Sequence, residues 1–118
     1  VTELVLEAGD WRLNTVFSNI EVKVKTANQS SYLEAYKQLT ASTGDSFGSY
    51  GINRVVYGNK YVSHMLYNGA NSIQELNDGL NDVYASNEFK TFNRKVGNIR
   101  KLVNSTLAQL VKAYPAER

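Results

Sequence analysis

The 118-residue sequence contains no cysteine, one proline and one histidine. The absence of cysteine excludes disulfides, thiolate nucleophiles and cysteine-based metal sites, and it leaves the redox compartment open. A structural zinc site is not expected, because a single histidine supplies too few ligands. No run approaches the roughly 20 apolar residues of a membrane-spanning helix. We therefore expect no metal and no membrane partner, and the cytoplasm is the favoured location.

The charges are nearly balanced, with 13 basic and 11 acidic residues giving a net charge of +2. Such a balance provides no field of one sign to attract nucleic acid. A basic stretch lies beside Phe89 and Phe92, whose rings fall on the buried side at helical spacing. Its cations are therefore predicted to form a solvated helix face, and no nucleic-acid partner is expected. They are Lys90, Arg94, Lys95, Arg100 and Lys101.

A chain of this length fits one domain, which we place at residues 1–118 with residues 1–10 as an N-terminal arm or edge strand. Whether a leader preceded Val1 is left open. In the run from Trp11 to Lys25, clean alternation of apolar and polar residues in the second half predicts the first strand after this arm. One face carries Ile20, Val22 and Val24, and the other, a mixed face predicted to be an interface or pocket wall, carries Trp11, Leu13, Phe17 and Asn19.

The strongest local pattern predicts a long β-hairpin over residues 49–69, with a two-residue turn at Gly58 and Asn59. Two runs rich in Val, Ile and Tyr flank this dipeptide. The turn fixes which residues lie opposite each other, and side chains alternate between the faces from there. The predicted pairs are Asn53 with His64 on one face, and Arg54 with Ser63, Ile52 with Met65 and Tyr50 with Tyr67 on the other.

Two sequence patterns predict where helices begin. In each, a serine is followed three residues later by a glutamate, and the two side chains satisfy N–H groups that a helix start leaves open. Between them, residues 41–51 are rich in Gly and Ser and are predicted to form a loop. The serine–glutamate pairs that predict the two helix starts are Ser31 with Glu34 and Ser72 with Glu75. The second of these helices is predicted to break at residues 85–87, before a short helix over residues 88–96. For residues 99–114, periodicity alone favours a helix over a strand.

Three stretches together carry a family resemblance. They are NIEVKVKTANQSSYLEAYKQL, where an alternating strand runs into a helix, the central hairpin, and SIQELNDGLNDVYASNEFKTFNRKVGNI, where an Asn-Glu-Phe turn precedes a short aromatic helix. The sequence resembles the dimeric α+β barrel superfamily related to the antibiotic-biosynthesis monooxygenases. The resemblance implies the α+β fold class, with a ferredoxin-like β-α-β-β-α-β order and an antiparallel sheet. It also implies a strand over residues 105–112.

The same resemblance implies a homodimer in which two sheets close into a barrel with the helices outside. Members include cofactor-independent monooxygenases, haem-degrading enzymes and stress-response proteins, so the resemblance does not select one activity. Haem-degrading relatives use an Asn, a Trp and a His around the haem. Asn19, Trp11 and His64 do not occupy matching positions, and these roles are not carried over.

His64 and Asn53 are the candidate catalytic pair, with His64 as general base and Asn53 setting its tautomer. The alternative is a partly buried strand histidine, which is favoured because no carboxylate is spaced to orient the ring. Candidate ligand-binding residues supply rings, hydroxyls and one guanidinium for a pocket. Aromatic residues in strands are more often core, and Arg54 more often forms a salt bridge. The candidates are Phe17, Asn19, Arg54, Tyr57, Tyr61 and Tyr67.

Three functions fit these observations. The first is a small-molecule-binding dimeric barrel protein that takes an apolar or aromatic ligand, a fatty acid being one candidate, between sheet and helices without a bound cofactor. The second is a cofactor-independent monooxygenase or isomerase that uses His64. The third is a structural or stress-response interaction protein without a pocket.

Overall fold

The computed structural model describes residues 2–55 and 61–109. Strands and helices occur in this part in the order β-β-α-β-β-α-α-β. The strands are β1 (Thr2–Gly9), β2 (Val16–Val24), β3 (Ser49–Val55), β4 (His64–Ala70) and β5 (Arg100–Gln109), and the helices are α1 (Gln29–Thr43), α2 (Ile73–Ala85) and α3 (Asn87–Val96).

The strands form one antiparallel sheet in the order β1-β3-β4-β2-β5. Without β1, the order β3-β4-β2-β5 is that of the ferredoxin-like β-α-β-β-α-β arrangement. The predicted α+β fold class is therefore confirmed. Strand β1 adds a fifth strand beside β3. Of the two predicted alternatives for the N-terminal segment, an arm or an edge strand, the structure shows the edge strand.

The hydrophobic core lies between the three helices and one face of the sheet, which we call the helix face. Val22, Val24 and Ile52 on this face are almost completely buried. They pack with helix residues, among them Tyr32, Tyr36, Leu39, Val83, Phe92 and Val96. The predicted alternation in β2 is confirmed, because Phe17 and Asn19 lie on the opposite face, which we call the open face.

Helix α1 begins earlier than its capping pattern predicted. The helix starts at Gln29, whose side-chain amide donates to the carbonyl of Val24 at 3.0 Å. Ser31 therefore lies inside the first turn, and its predicted capping role is wrong. The loop prediction for residues 41–51 is wrong at both ends, since α1 continues to Thr43 and β3 begins at Ser49.

The second capping prediction is confirmed at the start of α2. The hydroxyl of Ser72 accepts a hydrogen bond from the backbone N–H of Glu75 at 3.1 Å. The predicted break is confirmed as well, because α2 ends at Ala85 and Ser86 caps α3 by accepting from the N–H of Phe89. Among the described residues, no helix is long and apolar enough to cross a membrane.

The C-terminal segment forms β5, so the strand implied by the family resemblance is confirmed as far as Gln109, and residues 110–112 lie outside the described part. The strand begins at Arg100, earlier than predicted. Arg100 and Lys101 therefore belong to a strand, and the predicted continuous helical face of cations is wrong at these two residues. Arg100 lies opposite Val24, which places it on the helix face.

The predicted hairpin register is wrong by one residue. Strand β3 pairs with β4 so that Asn53 lies opposite Met65 and Arg54 opposite His64. This register places Ile52 opposite Leu66 and buries both under the helices, whereas the predicted register put them on opposite faces. The predicted turn at Gly58 and Asn59 lies outside the described residues. All four predicted pairs are therefore wrong: Asn53 with His64, Arg54 with Ser63, Ile52 with Met65, and Tyr50 with Tyr67.

Candidate ligand-binding site

His64 is buried completely on the helix face. Its Nδ1 lies 3.0 Å from the hydroxyl of Ser63, and its Nε2 has no hydrogen-bond partner among the described residues. Burial lowers the pKa of His64, and the positive charge of Arg54 lowers it further. The ring is therefore held in its neutral form, packed 6.1 Å from the ring of Tyr32.

Asn53 does not share a site with His64. The observed register places Asn53 on the open face, on the other side of the sheet from the imidazole. His64 does not line either of the two cavities described below. The structure thus separates the two predicted catalytic residues, and the catalytic role of His64 stays a prediction.

The open face carries a shallow cavity of about 480 Å³. Three predicted residues, Phe17, Asn19 and Tyr67, meet in it together with Asn53. The rings of Phe17 and Tyr67 are in edge contact at 6.3 Å. The Tyr67 hydroxyl is buried without a partner among the described residues, and burial, with Glu7 nearby, raises its pKa.

A second cavity, of about 360 Å³, lies between the helix face and the helices, and we call it the helix-side cavity. This volume is at the lower end of the range of small-molecule pockets, roughly 300–1,000 Å³. The lining is mainly aliphatic and aromatic, and exposed Tyr84 and Leu102 lie where it reaches the surface. Side chains of α1, from Tyr32 to Thr43, follow its length.

Two tyrosines of α1, Tyr32 and Tyr36, line the helix-side cavity. Tyr36 is 4% exposed, and its hydroxyl has no hydrogen-bond partner among the described residues. Burial raises its pKa strongly, so the hydroxyl stays protonated. Burial also raises the pKa of Tyr32 to about 12, although the nearby guanidinium of Arg100 opposes this shift.

Arg100 is the cationic side chain that lines the helix-side cavity. Its Nη2 donates to Oδ1 of Asn93 at 2.9 Å, and its Cζ lies 5.7 Å from the centre of the Phe92 ring. No carboxylate of the described residues forms a salt bridge with it. The sequence patterns missed the position of Arg100 at the cavity, because they grouped it with the helix cations. Only the pairing of β5 with β2 places it there.

The remaining predicted ligand residues do not gather at one place. Arg54 is exposed on the helix face of β3. Tyr61, the first residue of the described range 61–109, is 67% exposed. Tyr57 lies outside the described residues. Within the described ranges, no group of three or more His, Asp or Glu side chains is placed to hold a metal ion.

Comparison with known proteins places this architecture in a structural class. No family model and no curated protein sequence matches the chain. Solved structures do match, and they include a haem-degrading enzyme from Listeria monocytogenes with a TM-score of 0.66 and 8% identity. That match covers 93% of this chain and 71% of the enzyme.

Two further structures extend the comparison. A candidate monooxygenase from Lactobacillus acidophilus NCFM matches with a TM-score of 0.62 and 14% identity over 93% of this chain. The chain spans about half of that protein, 49% of its length. A dimeric ferredoxin-like protein of unknown function from Thermobifida fusca matches with a TM-score of 0.60 and 8% identity, covering 92% of this chain and 100% of that one. The fold is thus the ferredoxin-like α+β fold of the monooxygenase-like proteins, as the resemblance implied.

Proposed function

We propose that this protein binds a small apolar or aromatic molecule in the helix-side cavity. The observation that carries the proposal is a cavity of about 360 Å³ between the sheet and the helices, lined mainly by aliphatic and aromatic side chains. Pockets lined by rings with a few polar groups are typical of small-molecule sites.

Whether the bound molecule is turned over is a separate question. The compared structures include a haem-degrading enzyme and a candidate monooxygenase, but at 8% and 14% identity the likeness concerns the fold. His64 is neutral and could accept a proton, yet its ring is covered and Asn53 lies across the sheet. Binding is therefore the function that the described geometry supports best.

We also propose that two copies of the chain associate through the open face. Large apolar side chains remain exposed or half-buried there, among them Leu4, Trp11, Phe17 and Met65. A second sheet packed on this face would cover them and enclose the cavity of about 480 Å³. One compared structure with this fold is described as dimeric, which supports the proposal.

Diphenylhexatriene, an elongated uncharged fluorophore whose emission rises in apolar surroundings, tests the binding proposal. Thr40 lines the helix-side cavity, so Thr40→Phe should fill part of it and weaken fluorophore binding about tenfold or more. Ala41→Phe is the matched control, because Ala41 is the next residue of α1 and is exposed. Its affinity should equal that of the unmodified protein.

Two results would contradict the proposal. One is an unmodified protein that does not bind the fluorophore and, in native mass spectrometry, carries no co-purified small molecule. The other is equal binding by the Thr40→Phe and Ala41→Phe proteins, which would place the fluorophore elsewhere. Unfolding measured in urea should show that both variants are folded.

A further inference from the structure

The helix-side cavity is elongated along α1. The α1 residues that line it extend from Tyr32 to Thr43. Because each residue adds about 1.5 Å to a helix, this stretch is roughly 16 Å long. A cavity of this length and of about 360 Å³ suits a narrow, extended molecule better than a compact one.

The two ends of the cavity differ in chemistry. Arg100 lies beside Tyr32 at one end, since β5 pairs it with Val24 at the end of β2. Thr43 and Phe47 line the other end, beyond three further turns of α1. The charge is therefore confined to one end, while aliphatic and aromatic side chains line most of the remainder.

The guanidinium of Arg100 has capacity for a further partner. Its contacts among the described residues are with Asn93, Phe92 and Tyr32, all of which are uncharged. Arginine presents five N–H donors in a planar fork that matches the two oxygens of a carboxylate. A cation in a mainly apolar site is stabilised when an anion pairs with it.

We propose that the helix-side cavity binds an elongated carboxylic acid of the fatty-acid class, with the carboxylate on Arg100 and the chain lying along α1 towards Phe47. The proposal rests on the proposed binding function and adds the chemical class and orientation of the ligand. The hydroxyl of Tyr32 lies next to Arg100 and supplies a second donor to the same carboxylate.

Displacement of diphenylhexatriene by dodecanoate and by dodecanol at neutral pH tests the proposal, because the two probes differ only in the head group. The unmodified protein should bind dodecanoate at least about tenfold more tightly than dodecanol. Arg100→Gln should abolish or reverse this preference while leaving dodecanol affinity within about twofold. Arg100→Lys, which keeps the charge, should retain part of the preference.

Lys101→Gln provides the matched control. Lys101 is the neighbouring cation on β5, but it lies opposite Lys23 and points to the other side of the strand from Arg100. Its removal changes the net charge equally and should leave the preference for dodecanoate unchanged. An equal loss in both Gln variants would indicate attraction by overall charge and overturn the specific role of Arg100.

The outcomes separate the two proposals. If the unmodified protein binds both probes equally, or if Arg100→Gln retains the full preference, the acid-binding proposal is wrong and the binding function stands. If neither probe displaces the bound fluorophore, the acid-binding proposal is wrong and the binding function stands. If the unmodified protein binds neither the fluorophore nor a co-purified small molecule, both proposals are wrong. A structural role of Arg100 alone would instead weaken both probes to the same extent.

Discussion

The Nδ1 of His64 lies 3.0 Å from the hydroxyl oxygen of Ser63, the residue before it in the chain. Ser63 also accepts a hydrogen bond from the N–H of Val24 at 2.8 Å, so its hydroxyl links the residue before β4 to β2 in the core. The other ring nitrogen has no partner among the described residues. A protonated ring would therefore bury an Nε2–H donor for which no described residue supplies an acceptor.

This arrangement predicts a loss of stability in mild acid. The pKa of His64 is lowered from 6.5 in the folded state by burial and then by Arg54, so the unfolded chain binds a proton at a higher pH than the folded one. The stabilising contribution is present above about pH 6.5 and is lost as the pH falls towards the folded pKa. In this window the free energy of unfolding should fall by up to about 1.4 kcal/mol per pH unit more in the unmodified protein than in the His64→Phe variant.

Urea unfolding of both proteins at about pH 7 and about pH 5 measures this difference. Carboxylates that titrate in the same range are common to both proteins and cancel in the comparison. Free energies of unfolding that change in parallel would show that His64 does not carry the effect.

A pair of identical substitutions tests the two helix starts. Ser72→Ala removes the hydroxyl that accepts from the N–H of Glu75 and should cost about 1 kcal/mol. Ser31→Ala, at the capping position that the sequence pattern predicted, should change the free energy of unfolding by less than about 0.5 kcal/mol, since Ser31 is exposed inside α1. Denaturation in urea distinguishes them, and an equal cost at Ser31 would contradict the observed start at Gln29.

Engineered disulfides test the strand register against a background without cysteine. Tyr50 lies opposite Asn68, and directly opposed Cα atoms in antiparallel strands are about 4.5–5.5 Å apart, within the range that a disulfide spans. Tyr50→Cys with Asn68→Cys should therefore oxidise to an intramolecular disulfide. Tyr50→Cys with Tyr67→Cys, the pair of the predicted register, should not, because those side chains lie on opposite faces.

Titration of free thiols under denaturing conditions, before and after oxidation, shows whether the disulfide has formed in each double variant. Rapid closure of the bond in the second variant and not in the first would restore the register with the turn at Gly58 and Asn59.

A charge on the open face should separate the proposed dimer. Met65 is half-buried at the middle of this face, opposite Asn53 and Glu21. Met65→Lys would place an ammonium group in the interface and should raise the dimer dissociation constant at least about tenfold. Gln74→Lys adds the same charge at an exposed position of α2 and should leave the dimer intact. Sedimentation at several concentrations measures both, and an intact Met65→Lys dimer would place the interface elsewhere.

Much of the fold was predictable from local patterns. Alternation in β2, the cap at Ser72 and the break at Ser86 each depend on a few neighbouring residues, and all three predictions are confirmed. The strand character of β5 came from the family resemblance. Periodicity alone favoured a helix over residues 99–114, and that expectation is wrong for Arg100–Gln109.

The errors arose where distant contacts decide the structure. The register of β3 and β4 buries Ile52 with Leu66 under the helices, and this burial depends on contacts with helices that are distant in the sequence. The one-residue shift also moved Tyr67 to the open face and separated Asn53 from His64. The position of Arg100 on the helix face was hidden for the same reason, since it depends on pairing with Val24, far away in the sequence.

Tyr84 and Leu102 are exposed where the helix-side cavity reaches the surface, and this position bears on the rates at which a ligand would bind and dissociate. Both side chains line the cavity and both reach the surface, so we expect a ligand bound as proposed to enter past them without separation of a strand or a helix. Exposed side chains change rotamer in picoseconds to nanoseconds, far faster than local unfolding. We therefore expect ligand association to be limited by encounter, and residence time to be set by affinity.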